Sequence, residues 1–441
     1  MLKIGNLFIF FILTLNTACG DFTGNTESDK SNSPVNNSSN NALPRSKVLS
    51  SNKAKGKALT VNNLASDLVE QVITPAVNNL EDNVLLLNKE LKNNCTLQPL
   101  TNSEAEKERA IVLRYLWKKV MSSYHHLELF QIGPLMDNNF ELMYNLYNYS
   151  YEFNYKYPSR IACRIDYDVL TNSKTPIAID ALKQNSSGLD AMEYLLFNND
   201  LQHSCEPGRS QLKEWESYSN AQRAAARCDY ITLISEKLVS DITNLAQRWE
   251  IFRQNITQVP EQKLINDLVF AIFFIEKHTK DQALGIPTGL SKSIPKCFGQ
   301  FCLDTIEHSP SLFLKEHLLT QVKALSSFFD GQNSENENYK GYGFYDYLNK
   351  IENHSDLINK LKASIKNLKQ NLTQLPAGFD LKASLKKVDD YSKCQNSTSR
   401  NRTVEICAIY QDLREITQLL KQEFVVALSV RLPVDSEGDA D

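Results

Sequence analysis

The sequence predicts an all-α fold built from helix bundles. Two observations carry that reading. Apolar residues return every three or four positions over long stretches, and strict apolar–polar alternation with paired turn signals is scarce. Leu80, Val84, Leu87 and Leu91 form the first stripe, and Leu113, Leu116, Val120, Tyr124 and Leu127 the second. Ile231, Ile234, Leu238, Ile242, Leu245, Trp249 and Phe252 hold the spacing for about six turns. Ile358, Leu361, Ile365, Leu368 and Leu372 repeat it, and Ile409, Leu413, Ile416, Leu420 and Phe424 close the chain. A one-sided stripe buries its helix face against neighbours, so these residues read as core rather than as a cofactor surface. After the third stripe, Pro260 breaks the run in RQNITQVPEQK and a new apolar helix starts near Leu264. That places a boundary near residue 258, with one bundle over 57–258 and another over 259–441. The second half also holds two stretches rich in turn-forming residues, LGIPTGLSKSIPKCFGQFC and DGQNSENENYKGYG.

The N-terminus reads differently. Lys3 precedes a short apolar run, Ile4 to Leu15, too short for a mature membrane helix. Small residues then lead to Cys19. This is the pattern of a lipoprotein signal peptide over residues 1–18, with Cys19 as the lipidated first residue of a membrane-anchored protein. Asn16 stands where that pattern has Leu. Residues 19–56, rich in Asn, Ser and Lys with few large apolar side chains, read as a flexible tether. The expected location is the bacterial cell envelope, on an outer membrane or facing the periplasm. The formal net charge is −4 with both signs interspersed, so no basic field points to nucleic acid.

Setting Cys19 aside, eight cysteines remain, an even set that suggests disulfides in an exported chain. Local closure favours Cys297–Cys302, Cys394–Cys407 and Cys205–Cys228, leaving Cys95–Cys163. No CxxC pair suggests thiolate-bound zinc.

The segment SGLDAMEYLLF carries the candidate chemistry. Ser186 or Ser187 can cap a helix whose first turns hold Asp190 and Glu193, and capping alone accounts for acids there. The same i, i+3 spacing lets both carboxylates reach one cation, with further ligands from other helices. His125 and Glu128 share a face in YHHLELF and are candidate ligands. Glu128 borders apolar residues and needs a partner, with Arg160 or Arg164 as candidates. Glu307, with Ser309 and Ser311, reads chiefly as helix capping. No GxSxG, HExxH, P-loop or GxGxxG pattern is present.

GLDAMEYLLF resembles the signature region of the imelysin family, a Gly-x-His-x-x-Glu motif. Gly188, Glu193 and Tyr194 match, and Asp190 stands at the family's His. YHHLELFQIGPL resembles the family's acidic helix followed by Gly-Pro, here Glu128, Gly133 and Pro134. YKYPSRI, with Tyr157 before Pro158, and IEHSPSLFLKEH, carrying Glu307, resemble further family segments in the right order. The resemblance implies two helical bundles with the motif at a cleft between them. It implies either an iron-related protein of the envelope, with iron-uptake partner proteins, or a metallopeptidase. Asp in place of His adds negative charge and removes an imidazole, which favours binding of iron or another divalent metal over hydrolysis. A surface or scaffold protein with a decayed site is the remaining alternative.

Overall fold

A computed structural model describes residues 49–99, 103–147, 159–205, 213–333, 338–351 and 354–431. The expected signal peptide with Cys19, the expected tether up to residue 48, Tyr157 and Pro158, and the acidic end after residue 431 lie outside them. Among the described residues no strand occurs, only one isolated bridge between Gln332 and Lys340. Helices α1 (Val61–Leu68), α2 (Thr74–Asn94), α3 (Glu104–Glu128), α4 (Asp137–Tyr147), α5 (Ser159–Lys174), α6 (Gly188–Phe197), α7 (Lys213–Ser217) and α8 (Asn220–Asn255) make up the first half. The second half carries α9 (Glu261–Ile272), α10 (Ile286–Thr288), α11 (Leu314–Asp330), α12 (Phe344–Ile351), α13 (Ser355–Gln374), α14 (Leu381–Lys386), α15 (Tyr391–Gln395), α16 (Glu405–Leu419) and α17 (Val425–Ala427). Eleven residues, Ile275–Gly285, wind as a π-helix.

The five stripes fall on α2, α3, α8, α13 and the α16 region, and their apolar faces are buried, with Phe252 partly so. Helix α8 starts where Ser219 accepts from the Gln222 N–H while the Gln222 side chain accepts from the Ser219 N–H, a reciprocal cap. It ends in a tight turn, Ile256–Gln258, and Pro260 then leads into α9. The apolar core nevertheless runs on past residue 258. Helix α1 packs on α9 and α3 on α11, and residues of both halves join one buried cluster.

The end of the expected tether is packed rather than free. Ser51 and Asn52 are buried, and Asp67 accepts from the Ser51 hydroxyl at 3.0 Å and the Asn52 N–H at 2.8 Å. Lys53 forms an ion pair with Asp346 at 2.8 Å. Composition hid this because polar residues here dock through hydrogen bonds to one buried carboxylate, without an apolar stripe.

Four disulfides close the fold: Cys95–Cys228, Cys163–Cys205, Cys297–Cys302 and Cys394–Cys407. The two shortest loops are as expected. The expected Cys205–Cys228 and Cys95–Cys163 pairs are exchanged. Chain proximity misleads here because α8 runs antiparallel beside α2, bringing Cys228 to Cys95 with their Cα atoms 5.8 Å apart.

Gly133 has a structural reason for being glycine. Its φ is +53°, and a Cβ there would meet the Phe252 ring at 2.8 Å. Pro134 follows inside a tight turn, Gly133–Leu135. The last turn of α3, which precedes it, is buried from Tyr124 to Glu128.

Candidate functional site

The site is built on the buried C-terminal turn of α3. His125 and Glu128 lie one turn apart, and His125 Nδ1 sits 2.8 Å from Glu128 Oε2. The opposite ring nitrogen, Nε2, faces Nε2 of His308 at 3.0 Å. His317, on α11, stacks face to face on His125 with ring centroids 3.6 Å apart. The three rings are only 2–3% exposed, and each offers a nitrogen within 4.8 Å of the others.

Glu193 supports the second imidazole. Its Oε2 lies 3.3 Å from His308 Nδ1, and its Oε1 accepts the Ser311 N–H at 3.2 Å. His308 itself has φ +53°. A non-glycine residue held in that region costs roughly 1–3 kcal/mol and is typical of functional sites.

The motif helix α6 is positioned from two sides. Trp117 on α3 donates from its indole N–H to the Leu189 carbonyl at 3.0 Å. Tyr194 donates to the buried Asp166 at 2.8 Å, and Asp166 pairs with the buried Arg227 at 3.2 Å. The serines before the helix do not cap it. Ser186 bonds Asp168 and Ser187 bonds the Lys183 carbonyl, so Gly188 begins the helix from φ +83° without a side-chain cap. Capping therefore does not explain Glu193, which is buried and turned toward His308.

Other expectations need correction. Arg164 does not partner Glu128; it pairs with Asp168 at 2.8 Å. Arg160 lies outside the residues whose side chains are described. Glu128 is held instead by His125, by the Gln321 amide at 2.8 Å and by a hydrogen bond from Tyr124. Glu307 does not cap α11, which begins seven residues later at Leu314; it lies 3.7 Å from His317 Nδ1. His308, His317 and Gln321 escaped sequence reasoning. His308 stands 183 residues from the imidazole it meets, so no local spacing connects them.

Burial, and then the neighbouring imidazoles of His317, His308 and His278, push His125 well below the usual histidine range. Burial and the imidazoles of His308 and His278 lower His317 in the same way. Burial also disfavours charge on His308, but Glu193, Glu307 and Asp190 outweigh it and raise its pKa. These carboxylates favour the charged form of His308, whose Nδ1 faces Glu193 Oε2 and whose Nε2 faces His125 Nε2. Burial and Glu307 raise Glu128 well above the carboxylate range, and burial raises Glu307.

Burial and the nearby Glu193 push Asp190 up to about 8. A carboxyl raised in the fold contributes stability below its unfolded value of 3.8 and loses it as pH rises through about 8. The metal-free protein is therefore expected to lose melting temperature between about pH 4 and pH 8 in part through this group. Asp190→Asn should flatten that portion of the profile in a pH-dependent thermal melt. An unchanged slope would show that Asp190 is ionised in the fold.

The described residues thus define an all-helical protein with a buried cluster of three imidazoles, two of them backed by a carboxylate, a donor group of the kind that can hold a metal ion. The Imelysin family model, named for peptidase M75, matches residues 102–420, and the chain belongs to that family. Among solved structures it is similar to an imelysin-like protein from Psychrobacter arcticum 273-4, with TM-score 0.59 and 14% identity over 85% of this chain and 98% of that one. It is also similar to a protein described as an iron-regulated protein A precursor from Parabacteroides distasonis, with TM-score 0.55 and 12% identity over 83% and 97% of the two chains. No curated protein matches the chain.

Proposed function

We propose that this protein binds a divalent first-row transition metal ion, through the imidazoles of His125, His308 and His317. The observation that carries this reading is His317. Its ring is buried, yet neither nitrogen makes a hydrogen bond. An orphaned, neutral imidazole in the core is costly unless something else takes its lone pair.

The donor set fits such an ion. Metal–imidazole bonds are about 2.0–2.1 Å long, so two ligand nitrogens on one ion stand roughly 2.9–3.4 Å apart. His125 Nε2 and His308 Nε2 are 3.0 Å apart. On each of these rings the other nitrogen meets a carboxylate, Glu128 or Glu193, the arrangement that orients metal-binding histidines. Of the four residues expected as ligands, His125 is a ligand in this reading. Glu128 and Glu193 become its supports, and Asp190 lines the site. Imidazole donors favour iron, zinc, nickel or copper over magnesium, calcium and manganese. The iron-regulated description of one structural relative supports iron. The group supplies a Lewis-acid or redox centre when bound; these residues hold and enclose it.

Deep burial of all three rings supports binding over peptide hydrolysis, which needs an open position for water and substrate. Four disulfides and the N-terminal segment support an exported, lipid-anchored setting, with the membrane and iron-uptake proteins as partners. No described helix is long and apolar enough to cross a membrane. Elemental analysis of protein expressed with its export segment and purified without chelator tests the reading. About one transition-metal ion per chain is expected. A metal-free protein that also takes up no added Fe²⁺ or Zn²⁺ would refute it. Peptide cleavage abolished by chelation would return the site to hydrolysis.

A further inference from the structure

We infer that Gln321 and Thr279 are positioning residues that lock the tautomer of His125, so that its Nε2 lone pair faces the metal. This deepens the metal-binding reading and rests on it. Gln321 lies on α11 and Thr279 on the π-helical stretch Ile275–Gly285. They form a chain of hydrogen bonds that ends on His125. The Thr279 hydroxyl donates to Gln321 Oε1 at 2.6 Å. The Gln321 amide Nε2 donates to Glu128 Oε2 at 2.8 Å. The same Glu128 Oε2 meets His125 Nδ1 at 2.8 Å. Thr279, Gln321, Glu128 and His125 are all buried.

The polarity of this chain runs one way. A threonine hydroxyl directed at an amide oxygen fixes which end of the glutamine faces Glu128. That end is the NH₂, which can only donate. Glu128 Oε2 must then accept. The oxygen that accepts from the amide acts as the carbonyl oxygen of the group, and any hydrogen on the carboxyl favours the other oxygen, so Oε2 accepts from His125 as well. The hydrogen between Glu128 and His125 therefore sits on Nδ1, and the lone pair sits on Nε2. The Tyr124 hydroxyl hydrogen-bonds to this carboxylate as well, in the same sense. The opposite tautomer would place a hydrogen on Nε2 and close the ligand position.

The π-helix contributes the register. Its wider turn, commonly found at functional sites, presents Thr279 toward α11 within the core. No local sequence pattern marks this, because Thr279 and Gln321 are 42 residues apart and Gln321 lies 193 from Glu128.

The test uses the folded chain with ¹⁵N-labelled histidine, first without metal and then titrated with Zn²⁺. The wild-type protein is expected to show His125 with Nδ1 protonated and Nε2 unprotonated. Gln321→Met removes the donor at nearly constant volume, and Thr279→Val removes the hydroxyl that orients the amide. Gln321→Met should populate the Nε2-protonated tautomer and weaken Zn²⁺ binding by roughly 10–100-fold. Thr279→Val should act in the same direction with a smaller effect. A purely structural role would lower melting temperature without moving the nitrogen resonances. An Nε2-protonated His125 in the wild type would overturn the inference. So would two folded variants whose tautomer and Zn²⁺ affinity match the wild type. A wild type with the expected tautomer but no affinity for Zn²⁺ or Fe²⁺ would sink the metal-binding function while leaving the tautomer lock standing.

Discussion

His308→Ala is expected to reduce Zn²⁺ or Fe²⁺ affinity by more than about 100-fold, beyond the usual loss from an outer-shell change. The reason is geometric. His308 reaches both halves of the site, with Nε2 3.0 Å from His125 Nε2 and Nδ1 3.3 Å from Glu193 Oε2. Its removal deletes one donor and leaves Glu193 without its imidazole partner. It also relieves a backbone held at φ +53° only in part, because alanine keeps a Cβ. Fold and binding are therefore separable. Circular dichroism should show an intact helical protein, while titration calorimetry shows the loss. His317→Ala should behave similarly in binding and cost less in metal-free stability, since its nitrogens satisfy no hydrogen bond. Retention of wild-type affinity in both variants would place the ion elsewhere.

Removal of the Cys95–Cys228 bridge is expected to destabilise the chain by about 5 kcal/mol on the loop-entropy model. The two cysteines are 133 residues apart, and the bridge ties the segment after α2 to α8. The Cys297–Cys302 bridge spans only five residues and should contribute about 2 kcal/mol on the same reasoning. Urea unfolding of the Cys95→Ser/Cys228→Ser protein beside the Cys297→Ser/Cys302→Ser protein compares them directly. Equal losses would show that the unfolded chain is not what the long bridge constrains. Because Cys228 lies in the helix that also carries Arg227, the longer bridge has a second consequence. Arg227 holds Asp166, which holds Tyr194 next to Glu193. Loss of this bridge should therefore weaken metal retention more than loss of the short one.

The candidate site was partly legible. The spacing of His125 and Glu128 does place them together, and Glu193 does turn inward with burial that capping cannot explain. Their partners from distant segments were not legible. Asp190 and Glu193 drew attention as a cation-binding pair, yet Glu193 stands behind an imidazole from another segment. His308 and His317 carry no local signal, because a local window cannot report a neighbour 183 residues away. The same limit governed the cysteines. Short loops were paired correctly, and the two long pairings followed helix packing rather than chain order.

The sequence by itself determined the helices. Their stripes, breaks and caps arise from periodicity over a few turns, where residues three and four apart must share a face. It also determined the family, through motif segments in fixed order. Only the tertiary structure decided which imidazoles meet, which carboxylates back them, and which cysteines bond. Those contacts join distant segments, and burial in a shared core, not local spacing, selects them.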